Sequence, residues 1–290
     1  MMRIGEAILT PVIEIEDLRA PPQLFVGDVT QDELKARGES LSPQFLDLDA
    51  CECRVSQHAW LIEFRGKRIL VDPCVGHHRS RPAMPMFDMI DSPMLERLEK
   101  LGATPESIDY VFCTHLHLDH VGWNTRLKDG VYVPTFPNAR YLFSRAEEQY
   151  WRREMNGEEP ADLTNAGVFA ECIEPVIAAG LADLVEAGDR FADCLTLVDA
   201  AGHTEGQLAG LLESGGEGFL LAGDTVHHPI QIAFLDGPMI AQDQEEAKAT
   251  LLRLLDLCAD NDYWFAPAHF RAPHACKIRE QGGQYRMEWA

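Results

Sequence analysis

Four side chains of types that commonly bind metal ions lie within six residues near the middle of the chain. They are His115, His117, Asp119 and His120, in the pattern H-x-H-x-D-H. Zinc prefers imidazole nitrogen and carboxylate oxygen, and a catalytic zinc site leaves one coordination position open for water. A loop this short projects four ligands in two directions, which is more than one ion uses comfortably. The spacing therefore suggests two ions side by side, with the first two histidines on one and Asp119 and His120 on the other.

Three further ligand-type side chains follow short apolar runs later in the chain. They are His203, Asp224 and His269. Small residues beside each of them would let the backbone come close to a metal cluster. A single histidine after a strand is usually a solvated loop residue or a hydrogen-bonded core imidazole. Combined with the H-x-H-x-D-H pattern, however, these residues predict a metal site built from five histidines and two aspartates.

The elements that must position these residues are predicted to be short strands interleaved with helices. A hairpin is predicted at 55–64 and 68–71, around the tight turn Arg65-Gly66-Lys67. Buried strands are predicted at 110–113, 195–198, 208–212, 219–221 and 263–266, and helices at about 94–101 and 245–257. Such alternation favours a mixed α/β fold, which keeps functional side chains at strand ends.

Charge and composition restrict the partners and the location. The 290 residues carry 25 basic and 47 acidic side chains, a formal net charge of −22. Such a field repels phosphate backbones, so no nucleic-acid partner is expected. We expect no membrane span, because no apolar run reaches roughly 18 residues. The N-terminus lacks signal-peptide features, and the eight cysteines are interpreted as reduced thiols, so the cytoplasm is the expected location.

Together these motifs resemble the metallo-β-lactamase superfamily. The resemblance rests on T-H-L-H-L-D-H-V-G at 114–122, Gly202-His203-Thr204, Gly223-Asp224 and His269. It implies an α/β fold of four layers, an αββα sandwich in which two mixed β-sheets pack face to face with helices outside and metals at one edge. We expect residues 1–290 to form a single domain of this kind, with residues 1–50 as an N-terminal extension packed on it.

The resemblance also divides the ligands between the two ions. The first metal would be held by three histidines: His115, His117 and His203. The second would be held by Asp119, His120 and His269. Asp224 would bridge both metals, and Asp72, at the end of the hairpin, would lie directly behind the ligands. We expect two zinc ions per chain, with iron or manganese as alternatives.

A dinuclear centre of this type predicts hydrolysis. Two ions about 3.5–4 Å apart lower the pKa of a bridging water toward 7 and polarise a substrate oxygen. The resulting hydroxide would attack a carbonyl or phosphoryl centre. Asp119 is the best candidate to move a proton to the leaving group, and Asp224 holds the two ions together.

The substrate is suggested by resemblance to one branch of the superfamily: N-acyl-homoserine lactonases, 4-pyridoxolactonase and methyl parathion hydrolases. In acyl-homoserine lactonases a tyrosine three residues after the bridging aspartate hydrogen-bonds the substrate carbonyl, and His227 stands at that place. An imidazole can donate the same bond, although a simple loop histidine is an equal alternative. We expect a small-molecule lactone or carboxylic ester as substrate. The alternatives are a phosphotriesterase or phosphodiesterase with the same metals, and a di-iron redox protein.

A loop rich in proline and methionine, residues 76–93, leaves the strand that carries Asp72. It contains Met84, Met86, Phe87 and Met89. Apolar side chains at a solvent edge usually cover something, and methionine adapts to irregular ligands. One interpretation is a hydrophobic wall beside the metals, with Met86 and Phe87 contacting an apolar acyl or aryl group. The alternative is that the loop packs on the N-terminal extension or at a homodimer interface.

Overall fold

The computed structural model describes residues 1–159 and 161–290. The strands of the N-terminal half are β1 (Met2–Ile4), β2 (Ala7–Ala20), β3 (Leu46–Asp47), β4 (Glu52–Phe64), β5 (Lys67–Val71), β6 (Tyr110–Phe112), β7 (Thr125–Lys128), β8 (Val131–Pro134) and β9 (Arg140–Ser144). Those of the C-terminal half are β10 (Ala182–Val185), β11 (Arg190–Phe191), β12 (Leu195–Asp199), β13 (Leu208–Ser214), β14 (Glu217–Gly223), β15 (Trp264–Pro267), β16 (Cys276–Gln281) and β17 (Gln284–Trp289). The helices are α1 (Gln23–Val26), α2 (Gln31–Gly38), α3 (Met94–Lys100), α4 (Leu118–Val121), α5 (Arg145–Met155), α6 (Glu174–Ala178), α7 (Ile230–Ala233) and α8 (Gln244–Asn261).

Two large mixed sheets form the centre of the molecule. The first has the strand order β1-β2-β4-β5-β6-β9-β10, with β3 paired to β4. The second runs β11-β12-β13-β14-β15-β16-β17 in order along the chain. Strands β5 and β6 are parallel neighbours in the first sheet, and β14 and β15 are parallel neighbours in the second. The carboxyl ends of each parallel pair therefore lie together at one edge of their sheet.

Strand β4 shows how the layers share the apolar core. Its residues Ala59 and Leu61 join one buried cluster, whereas Trp60 and Ile62 join another. Successive residues of a strand point to opposite faces, so this alternation requires apolar packing on both sides of the sheet. The cluster with Trp60 and Ile62 continues into β12, β13 and β14 and so joins the two sheets. Burying each large apolar side chain contributes on the order of 1.5–3 kcal/mol.

Helices cover the outer face of each sheet. Apolar residues of α3, α5 and α6 pack against the cluster that contains Leu61. On the far side, Leu251, Leu254 and Leu255 of α8 pack against β14 and β15. The order of layers is therefore helix, sheet, sheet, helix, which confirms the predicted αββα sandwich. Within the described residues, no helix is both long and apolar enough to cross a membrane.

The chain ends differ from the sequence-based expectation. Residues 1–50 were expected to pack on the domain as an extension with a possible first strand at 7–15, and β1 and β2 within that segment are strands of the first sheet. The part that lies against the body follows them: Phe25, Leu34 and Phe45 pack with Ile230 and Phe234 around α7. At the other end, the strands predicted from the sequence stop at 263–266, whereas β16 and β17 extend the second sheet beyond it.

Candidate metal centre

The ligand candidates come together because they follow neighbouring strands. His115 and His117 lie in the loop after β6, and Asp119 and His120 lie in α4 directly after it. His203 lies between β12 and β13. In the second sheet, Asp224 follows β14 and His269 follows its parallel neighbour β15. All seven predicted ligands thus meet at one edge of the sandwich.

Three histidines form one compact group. The Nδ1 atom of His117 lies 3.0 Å from Nε2 of His115 and 3.0 Å from Nε2 of His203. Oxygen Oδ2 of Asp224 lies 3.9 Å from Nε2 of His115 and 3.6 Å from Nε2 of His203. These are the ligands that the resemblance assigned to the first metal, and we refer to the three histidines as the first set.

A second group lies on the other side of Asp224. Nε2 of His120 is 3.4 Å from Oδ1 of Asp224 and 3.7 Å from Oδ1 of Asp119. Nε2 of His269 is 3.2 Å from Oδ2 of Asp224 and 3.6 Å from Oδ2 of Asp119. We refer to Asp119, His120 and His269 as the second set. Asp224 contacts both sets, which is the position that a bridging carboxylate requires.

The donor atoms of this cluster fit metal ions better than they fit one another. Nε2 of His120 and Oδ1 of Asp224 are buried and have no hydrogen-bond partner in the described part of the chain. Leaving buried polar atoms unpaired is costly, so such atoms call for an explanation. Trios of nitrogen and oxygen atoms within 4.8 Å of one another occur in both sets. Imidazole and carboxylate donors at these spacings suit zinc and related divalent ions.

Backbone carbonyls orient two of the histidines. Nδ1 of His203 lies 2.7 Å from the carbonyl oxygen of Ile240, and Nδ1 of His269 lies 3.3 Å from that of Ser56. A carbonyl oxygen only accepts, so Nδ1 must carry the proton in each ring. Nε2 of a neutral ring then presents its lone pair to the centre of the cluster.

Burial and the neighbouring carboxylates shift the pKa values of the two sets of histidines in opposite directions. Burial lowers the pKa of His117 to about 3 and that of His203 to about 4, and it lowers the pKa of His115 well below its ordinary value. Burial also acts on His120 and His269, but the carboxylates of Asp224 and Asp119 outweigh it and raise the pKa of both rings. The first set is therefore held neutral, which is the form that binds a metal ion.

The remaining predicted polar residues lie beside this cluster. Asp72 has Oδ2 at 3.1 Å from Nδ1 of His120 and accepts hydrogen bonds from the N–H and hydroxyl of Thr114. His227 has Nε2 at 3.1 Å from Oδ2 of Asp224, and its ring stacks on that of His269. His227 is thus close enough to the cluster to act either on a substrate or as an additional ligand.

A cavity of about 430 Å³ opens above the cluster. Its floor contains His117, Asp119, His203, Asp224, His227 and His269. Met84, Met86 and Phe87 of the 76–93 loop form one wall, whereas Met89 does not line the cavity. Most of the remaining lining is apolar, so the cavity suits a substrate with an apolar group.

The N-terminal segment forms the other wall, which sequence reasoning did not anticipate. Leu18 and Ala20 of β2, Leu24 and Phe25 of α1, and Val55 of β4 line the cavity. The apolar residues Leu24 and Phe25, which follow Pro21-Pro22 after one glutamine, were an available signal. Their location could not be inferred, because it depends on how β2 pairs with β4.

One protein-family model and many solved structures match this chain. A sequence model described as the metallo-beta-lactamase superfamily matches residues 54–261. No curated protein sequence matches the chain. A solved structure described as hydrolase AbOPH in the beta lactamase superfamily has 24% identity and a TM-score of 0.81, covering 100% of this chain and 96% of its own.

Two other solved structures are similar over the full chain. AidC, described as a dizinc quorum-quenching lactonase in complex with a product, has 20% identity and a TM-score of 0.76, covering 100% of this chain and 96% of its own. A probable metal-dependent hydrolase from Staphylococcus aureus has 18% identity and a TM-score of 0.76, covering 100% of this chain and 99% of its own. At these identities the likeness concerns the fold.

Proposed function

The chain belongs to the metallo-beta-lactamase superfamily, and we propose that it is a hydrolase with two metal ions that cleaves a lactone or carboxylic ester bearing an apolar group. The observation that carries the proposal is the position of Asp224 between the two ligand sets, at the floor of an apolar cavity. We further propose that residues 1–290 act as one domain and that the ions are zinc.

The bound ions would supply Lewis acidity and a water of lowered pKa. The residues of the chain then orient the substrate and move protons. Asp119 lines the cavity, and its carboxylate faces both His120 and His269 of the second set. From that position its oxygens can accept a proton from the attacking water and return it to the leaving alkoxide.

His227 is proposed to hold the substrate carbonyl. Its ring lies at the cavity floor beside His203 and His269. A ring N–H directed at the carbonyl oxygen would stabilise the negative charge that develops there during attack. The apolar wall containing Met86 and Phe87 would hold the acyl or aryl group.

The substrate class is supported by the apolar cavity and, by analogy of fold, by AidC, which is described as a lactonase. The test is a comparison of three substrates on one preparation: an N-acyl lactone, an aryl carboxylic ester and a phosphotriester. Metal content is measured on the same protein. We expect about two ions per chain and turnover of the lactone or the ester.

Two results would contradict the proposal. Full activity with a single ion per chain would exclude the dinuclear arrangement. Turnover of the phosphotriester alone would replace the carbonyl substrate with the phosphoryl alternative. Protein stripped by a chelator and then reloaded with zinc is the control that ties activity to the metal.

A further inference from the structure

A buried glutamate on helix α5 connects the two loops that carry the first set. Glu147 lies in the first turn of that helix and is fully buried. Its Oε2 atom accepts a hydrogen bond from the backbone N–H of Leu116, at 3.0 Å. Its Oε1 atom accepts one from the backbone N–H of Gly206, also at 3.0 Å. One carboxylate therefore binds two loops that are far apart in the sequence.

These two backbone groups lie next to the first set. Leu116 is the residue between His115 and His117, and Gly206 lies three residues after His203. The peptide of Leu116 is held on its other side as well, because its carbonyl oxygen accepts a hydrogen bond from the side-chain amide of Asn165 at 3.1 Å. The backbone between the two histidines is thus fixed at both of its polar atoms.

Packing around Glu147 leaves little freedom for the loops to move. A side chain at Gly206 would place its Cβ 2.6 Å from the backbone nitrogen of Glu147 and 2.7 Å from Cβ of Ala146, which is too close for any residue but glycine. The indole N–H of Trp151 donates to Oε2 of Glu147 at 2.9 Å. The same indole ring contacts the ring of His117 edge-on, with centroids 5.5 Å apart.

Other contacts hold the second set. Asp72 lies beside Nδ1 of His120, and the carbonyl oxygen of Ser56 lies beside Nδ1 of His269. The three hydrogen bonds found for the Glu147 carboxylate among the described residues go to Leu116, Gly206 and Trp151. The hydrogen bonds of Glu147 therefore support the loops that carry the first set.

We infer that Glu147 is a positioning residue for the first metal ion, which aligns the His115–His117 loop with the His203 loop through their backbones. This inference rests on the proposed metal centre. Replacement of the carboxylate by an amide would place an NH₂ group against a backbone N–H, since all three partners of Glu147 are donors. At least one loop would then lose its anchor, and the three imidazoles would no longer converge.

The test is metal binding by Glu147→Gln, followed by titration with a competing chelator and direct metal analysis. We expect the first ion to bind on the order of 10–100-fold more weakly, as is typical when the support of a ligand is removed, while the second ion is retained. Glu148→Gln is the matched control, because Glu148 is the next residue of α5 and its carboxylate pairs with Arg152. That control should bind both ions like the unmodified chain.

Two ligand variants identify which ion is lost. In a His269→Ala background, which weakens the second set, adding Glu147→Gln should remove most of the remaining metal. In a His203→Ala background, which already weakens the first set, it should change little. Equal losses in both backgrounds would mean that Glu147 supports the fold as a whole, and the inference would be wrong.

A second variant and two possible results distinguish a folding defect from a selective loss of metal binding. Should Glu147→Gln fail to fold, Trp151→Phe removes a single donor and keeps an aromatic ring beside His117, and the same selective loss is expected on a smaller scale. Unchanged binding of both ions in a folded Glu147→Gln protein would overturn the inference and leave the proposed function intact. Absence of metal from the unmodified chain would instead overturn the proposed function.

Discussion

The carboxylate of Asp72 lies 3.1 Å from Nδ1 of His120, while Nε2 of the same ring faces Asp224 at 3.4 Å. A carboxylate behind an imidazole fixes its orientation and makes the opposite nitrogen a stronger ligand. Asp72 also accepts two hydrogen bonds from Thr114, the residue before His115. It therefore joins the end of β5 to both parts of the H-x-H-x-D-H motif.

Substituting Asp72 should weaken metal binding without unfolding the protein. Asp72 has a φ of 51°, in the left-handed region, which asparagine tolerates better than most residues. We therefore expect Asp72→Asn to keep the backbone and to bind metal on the order of 10–100-fold more weakly, because the charge behind His120 is lost. Chelator competition measures the affinity, and a thermal melt checks the fold. Unchanged affinity would show that Asp72 is only a structural residue.

Removal of Asp224 should affect both ions. Its oxygens contact His120 and His269 on one side and His203 on the other. Asp224→Ala is expected to lower metal content and turnover together, since each set loses a shared ligand. Asp199→Ala is a suitable control, because Asp199 is an exposed aspartate at the end of β12 that pairs with Arg253. Retention of both ions and near-normal turnover would refute the ligand assignment.

His227 should act on the substrate rather than on the metal. We expect His227→Phe to keep both ions and to lose about 1–3 kcal/mol of transition-state stabilisation, or roughly 5–150-fold in rate, because one hydrogen bond to the developing oxyanion is removed. Steady-state kinetics and metal analysis are made on the same sample. Loss of an ion would make His227 a ligand, which its distance of 3.1 Å from Asp224 also permits.

Local spacing was enough to predict that these seven side chains lie together; that they bind metal ions stays a prediction. H-x-H-x-D-H brings four ligands together within one loop, and His203, Asp224 and His269 each follow a strand that was predicted within a few residues of its observed bounds. The αββα sandwich followed from the resemblance that these motifs carry. Both predictions rest on residue types and their spacing within short motifs, which can be read from one sequence.

The parts that were not predicted depend on pairing between distant segments. Glu147 lies in an ordinary amphipathic helix, and only the approach of Leu116 and Gly206 gives it a role. The apolar wall formed by Leu24 and Phe25 depends on the β2–β4 pairing in the same way. The β16–β17 hairpin is different: Gly282-Gly283 between two strands is a recognised hairpin signal that could have been used.

The 76–93 loop should set the preference for acyl chain length. Met86 and Phe87 line the cavity, so replacing both with serine should reduce turnover of long-chain substrates more than that of short-chain ones. Losing the burial of one or two methylenes costs about 0.8 kcal/mol each. Met89→Ser is the matched control, because Met89 is as exposed as Met86 (53% against 52%) and lies in the same loop outside the cavity. An unchanged preference in the double variant would exclude this wall.

A buried carboxylate, Glu14, should make the stability of the fold depend on pH. It accepts hydrogen bonds from the backbone of Val75 and Gly76, from the hydroxyl of Ser92 and from the indole of Trp123. Burial raises the pKa of Glu14 to about 7, although these hydrogen bonds oppose the shift. Glu14 therefore ties both ends of the 76–93 loop to the segment that follows His120.

The sign of the effect follows from proton linkage. The pKa of Glu14 is higher in the folded chain than in the unfolded one, so its contribution to stability is full below the unfolded pKa of about 4.5 and is lost as pH rises through about 7. Between about pH 5 and pH 8, the unmodified chain should lose about 2.5 kcal/mol more unfolding free energy than Glu14→Gln, which cannot titrate. Urea unfolding of both proteins after metal removal measures the difference. Parallel pH profiles would show that Glu14 does not change its protonation in this range.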